Sequence, residues 1–247
     1  MNFSGISYNS FYGRLLRFAL KIIPAEMQIP ILQGKLRGKK WIVGSFNHGC
    51  WLGSYEYHKR VIFESLVKEG SVVYDIGAHV GFYTLLASVC VGATGRVFAF
   101  EPVPRNLYYL KKHIQLNNIC NVTLSDTAVL DYVGWTFFDE GPGKSMAHVS
   151  STGKLKVRTV TLDYLIENGE APIPNFIKID IEGSEMSAFL GARSLLSNMH
   201  PTIFLATHGL DIHKRCCNFL KDIGYRLSTI DQSNDLENTD EIIAYYK

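Results

Sequence analysis

From residue 72 onward, short apolar runs alternate with helical stretches, and this alternation most limits the folds open to the chain. Residues 72–76 (Val-Val-Tyr-Asp-Ile) read as a strand buried on both faces. Residues 96–101, 121–129, 176–181 and 202–207 repeat the pattern, and helical segments are expected over 82–91, 104–117, 184–197 and 211–223. Two further strands, 225–230 and 241–246, close the chain. Strands joined by helices predict a parallel sheet with helices on both faces. Residues 134–161 interrupt this order with Gly141-Pro142-Gly143 and two runs that form either β-hairpins or a loop excursion, and a short helix follows at 161–166. Residues 1–70 have another texture, aromatic and broken early by Pro24 and Pro30. The expected organisation is an N-terminal helical and aromatic extension or cap over 1–70 and an α/β domain over 71–247.

Composition narrows the class of partner. With 47% hydrophobic and 19% charged residues the chain is globular, and a net charge of +2 provides no general field for nucleic acid or anionic membrane. Five cysteines, an odd number without a C-x-x-C pair, read as small buried hydrophobes of a reduced, cytoplasmic protein without a zinc site. There is no run of roughly 18 apolar residues, and the first ten residues lack a signal-peptide pattern. Residues 14–23 mix Leu15, Leu16, Phe18 and Leu20 with Arg14, Arg17 and Lys21. They are expected to pack on the domain as an amphipathic helix, with weak contact to a membrane surface as the alternative.

In an open α/β sheet, ligands bind beyond the carboxyl ends of the strands, so the strand ends carry the functional reading. Asp75-Ile76-Gly77-Ala78-His79-Val80-Gly81 is a glycine turn leading into a helix whose N–H groups face a ligand. Counted from Gly77, a dinucleotide fingerprint would need glycine where His79 and Phe82 stand. The loop therefore suits a nucleoside and carboxylate better than a pyrophosphate, and Asp75 adds negative charge that favours an amino group. Glu101 follows Gly77 at about the 20-residue spacing of an acid that accepts hydrogen bonds from a ribose diol. Asp180 ends an apolar strand interrupted only by Lys178, a costly position unless it binds an ammonium, holds a metal or takes a substrate proton. Glu182 and Glu185 begin the next helix, where the dipole favours acids; Glu185 is expected to be structural. His208 ends the fifth strand and is a candidate general base.

Together Val73 to Thr84, then Phe100-Glu101-Pro102, then Ile179-Asp180-Ile181-Glu182-Gly183-Ser184-Glu185 resemble the FkbM family of class I methyltransferases over about residues 71–230. Trp51-Leu52-Gly53-Ser54-Tyr55-Glu56 resembles the lead-in segment of its bacterial members, and His79 departs from the Asn common in the family. The resemblance implies a Rossmann-like, mostly parallel seven-stranded sheet, S-adenosylmethionine as cofactor, and O-methylation of a hydroxyl. It implies that Gly77, Ala78, Gly81 and Phe82 line the methionine and ribose, that Glu101 holds the diol, and that Asp126, Thr127 and Ala128 meet the adenine.

Methyl transfer to oxygen is an in-line displacement that needs alignment and a base, not a protein nucleophile. His208 or Asp180 is expected to be that base, with Glu182 as a further candidate, and no motif demands a metal. Residues 1–70 and 134–161 are expected to shape the acceptor pocket. A sugar, a glycan and a secondary-metabolite hydroxyl all remain open as acceptors. The competing readings are an NAD-binding oxidoreductase, a nucleic-acid methyltransferase and a non-catalytic cofactor-binding module.

Overall fold

The computed structural model describes residues 20, 22–139, 148–150, 152–231 and 235–246. Most of the amphipathic stretch 14–23 and the Gly141-Pro142-Gly143 turn lie outside them. The chain runs β1 (Gln28–Pro30), β2 (Lys40–Ile42), α1 (Gly49–Leu52), α2 (Tyr57–Leu66), β3 (Val72–Ile76), α3 (Phe82–Val91), β4 (Arg96–Phe100) and α4 (Pro104–Leu116). It continues with β5 (Val122–Ser125), β6 (Thr127–Val129), β7 (Gly134–Asp139), β8 (His148–Val149), β9 (Leu155–Val160) and α5 (Leu162–Glu167). The last part holds β10 (Phe176–Ile179), α6 (Glu185–Leu190), α7 (Arg193–Met199), β11 (Thr202–Ala206), α8 (Leu210–Asp222), β12 (Tyr225–Thr229) and β13 (Glu241–Tyr246).

Seven strands form one sheet in the order β12-β13-β11-β10-β3-β4-β5. All neighbours from β11 to β5 are parallel, and β13 is antiparallel to both β11 and β12. Among the described residues the connection from β12 to β13 has no helix to carry the chain back across the sheet, and the second strand returns antiparallel. Side chains alternate between two cores. Tyr74, Ile76, Phe100, Ile177, Ile179, Ile203 and Leu205 pack with α5–α8, while Val73, Val97, Phe176 and Phe204 pack with α2 and α3.

The segment before β3 shares this second core: Ile31, Trp41, Trp51 and Phe63 pack against Phe82, Leu85 and Leu86 of α3. Trp41 stacks on His113 of α4 at 3.9 Å. His113 donates from Nδ1 to Val80 O at 2.8 Å and accepts at Nε2 from Ile42 N at 3.1 Å, so both bonds require the neutral Nδ1–H ring. Burial pushes its pKa down to about 4, which keeps that tautomer through the neutral range.

Two elements divide where the sequence pattern reads as continuous. The run 121–129 breaks at exposed Asp126, a poor strand former. β5 ends the main sheet, and β6 joins a separate four-stranded sheet, β6-β9-β7-β8, so the described residues of 134–161 form β structure. The helix expected over 184–197 breaks after Gly191, because Asp163 of α5 caps α7: Ser194 N and Leu195 N donate to its two carboxylate oxygens at 2.9 and 2.8 Å. Gly191 has ordinary negative φ, yet any Cβ there would collide with the Leu130 carbonyl. Gly191→Ala is therefore expected to lower stability in urea unfolding by about 2–3 kcal/mol, as overpacking against immovable backbone does. Gly134→Ala, whose Cβ would meet only ordinary contacts, should change little.

Candidate active site

The order of strands reverses between β3 and β10: the chain proceeds from β3 outward to β4 and β5, then returns to β10 on the other side. The crevice this opens holds a cavity of about 300 Å³, within the range of small-molecule sites. Gly77 has φ +78°, and a Cβ there would collide with the Asp180 carbonyl, so the loop after β3 lies directly on the end of β10.

The cavity brings Gly77, Ala78, Phe82, Glu101, Thr127, Ala128, Asp180, Glu182 and His208 onto one surface. Asp75, Gly81 and Asp126 are not on it. Gly81 caps α3 at φ +95° with its α-carbon against Leu110, and Asp126 points to solvent at the strand break. Asp75 corrects the sequence reading most clearly. Its carboxylate is buried under the loop, accepts from Thr84 Oγ1 at 2.6 Å, and faces Lys178 Nζ at 3.3 Å. It cannot meet a ligand's amino group there.

Lys178, noted in the sequence only as an interruption, closes this arrangement. Its buried ammonium donates to Gly77 O at 2.9 Å and reaches Asp180 Oδ2 at 3.8 Å. A lone lysine inside an apolar strand was the available signal, since a buried charge must be paired.

Glu101 sits at the opposite wall. Its Oε2 accepts from His79 N at 2.8 Å and its Oε1 from Val103 N at 2.9 Å. Burial nevertheless pushes its pKa up to about 7. His79, where the resembled family commonly has Asn, adopts φ +52° to aim that N–H, a conformation Asn tolerates well. Val103, Thr127, Ala128, Leu130 and Phe138 continue the wall, so the second sheet supplies part of the pocket.

The other end is charged and comes largely from the chain before β3. Tyr55, Glu56 and Lys59 line the cavity with Tyr83 and Glu241. Lys59 Nζ contacts Glu241 Oε1 at 2.6 Å and Glu56 Oε2 at 3.4 Å, and Tyr83 OH donates to Glu56 at 2.7 Å. Burial alone would lower the Lys59 pKa, but Glu56, Asp180 and Glu241 more than reverse this and raise it. Of this group the sequence reading covered Tyr55, Glu56 and Tyr83 only as part of a resemblance and Glu241 only as a strand start, and it did not name Lys59.

Between the two ends stand Asp180, Glu182 and His208, with side-chain donor atoms within 4.8 Å of one another. At that spacing an imidazolium, or a cation of another kind, offsets two carboxylates. His208 Nε2 lies 3.6 Å from both Asp180 Oδ1 and Glu182 Oε2. Burial raises the Asp180 pKa, and Lys178, Lys59, His208 and His79 outweigh it, so Asp180 stays below the usual carboxylate range. Burial holds Glu182 above its usual value.

The fold is that of the class I methyltransferases. A crystal structure of methyltransferase FkbM from Methylobacillus flagellatus KT aligns with TM-score 0.52 over 81% of this chain and 56% of that one, at 18% identity. Precorrin-6y C5,15-methyltransferase from Geobacter metallireducens GS-15 aligns with TM-score 0.50 over 78% and 88%, at 20% identity. Residues 75–227 match the methyltransferase FkbM domain, and the chain belongs to that family. Hexuronic acid methyltransferase AglP of Haloferax volcanii is 27% identical over 154 residues, which is 62% of this chain and 62% of that relative's length.

The Asp75–Lys178 pair has a direct consequence. Lys178→Met strands the buried Asp75 carboxylate and is expected to cost about 3–5 kcal/mol in urea unfolding without any ligand. Adding Asp75→Asn should recover part of that loss, because no charge is then left uncompensated.

Proposed function

We propose that the protein transfers a methyl group from S-adenosylmethionine to a hydroxyl of a sugar or glycan, with hexuronic acids as the acceptor class. The observation that carries the cofactor reading is Glu101, a buried carboxylate on the pocket wall beside the glycine loop. Two loop N–H groups and the Asn106 amide hold it in place, and its Oε2 keeps a lone pair for a ribose hydroxyl. The donor set fits the rest of the cofactor. Ala78, Thr127, Ala128, Leu130 and Phe138 form a mostly apolar wall for adenine. Lys59 matches an α-carboxylate, and Glu56 and Asp180 match an α-ammonium. In this reading the segment before residue 70 is a cap over the amino-acid end, and 71–247 is the methyltransferase domain.

When bound, the cofactor supplies an electrophilic methyl whose bonding pair stays on sulfur as the acceptor oxygen attaches. The chain's own groups align the acceptor, exclude water and take its proton. His208 is the base in this reading: its Nε2 faces the cavity where the acceptor hydroxyl would lie, whereas Asp180, held ionised by cations, is a weak base suited to orienting charge. The family match and the hexuronic acid relative support the sugar acceptor. Five unbridged cysteines fit a reducing compartment, the cytoplasm, and among the described residues no helix is long and apolar enough to cross a membrane.

Calorimetric titration with S-adenosylhomocysteine and with NAD is the test of the cofactor site. The first is expected to bind near one-to-one and NAD not at all; the reverse would leave an oxidoreductase. The affinity should depend on pH with a defined sign. Below pH 7 Glu101 holds a proton in the free protein. That proton must leave before the diol can donate to an ionised carboxylate. Binding should therefore weaken as pH falls below 7, by up to about tenfold per pH unit, and Glu101→Gln should flatten that dependence. Mass spectrometry of p-nitrophenyl β-glucuronide incubated with enzyme and S-adenosylmethionine should show one added methyl group, with the uncharged glucoside a poorer acceptor.

A further inference from the structure

Glu185 is the first residue of α6, and its side chain is fully buried. An acid serving only the helix dipole has no need to leave water, because that stabilisation is available at the surface. A buried carboxylate must instead find a partner within the protein. Glu185 Oε1 accepts from His208 Nδ1 at 2.8 Å and from Gly183 N at 3.1 Å. Among the described residues its other oxygen, Oε2, has no hydrogen-bond partner. The imidazole is thus the charged or chargeable group that answers this carboxylate.

The geometry of the ring then follows. With Nδ1–H donated to Glu185, the remaining nitrogen, Nε2, is directed at the cavity. It stands 3.6 Å from both Asp180 Oδ1 and Glu182 Oε2, too far to be a direct hydrogen bond to either. Resting on the methyl-transfer reading above, we propose that Glu185 is a positioning residue: it fixes the His208 tautomer and ring orientation so that Nε2 receives the acceptor hydroxyl's proton, and it stabilises the imidazolium that results. In this step the O–H bond breaks as the N–H bond forms, the oxygen keeps the electron pair that bonds to the methyl carbon, and the proton later passes from Nε2 to solvent. The logic is that of a buried acid behind a catalytic imidazole.

The charged groups facing His208 come from one loop and one helix. Asp180 and Glu182 lie on the β10–α6 connection and Glu185 begins α6. His148 of β8 acts on Glu182 and partly offsets it. On α8, which follows His208, exposed Asp211 and Arg215 pair with each other at 3.8 Å. The Glu185 hydrogen bond is the largest influence on His208; burial opposes it, Glu182, Glu185 and Asp180 add to it by charge, and the pKa is raised.

The test uses the full chain and two readouts. The first is NMR titration of the His208 ring with S-adenosylhomocysteine bound. Glu185→Gln, which keeps shape and hydrogen-bond acceptor but not charge, should move that titration to lower pH, and Glu185→Asp should restore part of it. The second is turnover of p-nitrophenyl β-glucuronide. Glu185→Gln should lower kcat by about 10²-fold with KM and S-adenosylhomocysteine affinity little changed, and its acid limb should shift to lower pH. Added to His208→Gln, Glu185→Gln should cost nothing more, because it acts through the ring. An unmoved His208 titration, a wild-type kcat in Glu185→Gln, or loss of His208 ring signals to Mn²⁺ bound at Nε2 would overturn the dyad while leaving the methyl-transfer reading intact. Failure of wild-type protein to bind S-adenosylhomocysteine would overturn that reading, and this role with it.

Discussion

The Lys178 ammonium, buried between Asp75 and the Gly77 carbonyl, holds together the point at which the two halves of the sheet meet. β3 and β10 are the strands on either side of the switch in strand order, and the loops that carry Gly77, Glu101, Asp180 and His208 leave their ends and those of their neighbours β4 and β11. A charge in that position is costly alone. Paired with Asp75, bonded to the loop carbonyl and lying over the Tyr83 ring, it becomes a brace that sets where Gly77 lies on the end of β10. The same cation keeps Asp180 ionised at the cavity surface. One buried pair thus shapes the glycine loop and the electrostatics of the neighbouring acid together.

Around that brace the cavity is built from three separate parts of the chain. The seven-stranded sheet contributes the loop, Glu101 and the Asp180–Glu182–His208 group. The small sheet that begins at β6 contributes Thr127, Ala128 and Phe138. The segment before β3 contributes Tyr55, Glu56 and Lys59, held by the Lys59–Glu241 contact to the last strand of the chain. That contact joins residues far apart in the sequence at the cavity wall. It makes the N-terminal segment part of the pocket as well as part of the hydrophobic core.

Much of this was legible in the residues alone. The β–α alternation defined the parallel sheet, and the strand-end rule pointed to Gly77, Glu101, Asp180 and His208, all of which line the cavity. The reading went astray where side-chain direction mattered. Asp75 stands at a strand end beside a glycine loop, yet it faces the α3 side of the sheet, where Thr84 and Lys178 take up its charge. Glu185 had the sequence position of a helix-dipole acid, and only the fold shows that it is buried and bonded to His208. The break at Asp126 had a local signal in a poor strand former, but the strand that takes up β6 is the distant β9, and the break at Gly191 rests on Asp163 and the Leu130 carbonyl.

What the sequence by itself determined is the class of fold and the set of strand ends that can bear chemistry. Both follow from local periodicity and from the special backbone freedom of glycine, which are properties of short stretches of chain. What only the tertiary structure decided is which of two nearby carboxylates meets the cavity, and which of them is buried against a lysine or a histidine. Those outcomes depend on desolvation and charge pairing between residues that meet only once the sheet is formed: Asp75 with Lys178, Glu185 with His208, and Lys59 with Glu241. Burial sets the cost of each charge and the partner offsets it, and neither quantity exists in the unfolded chain.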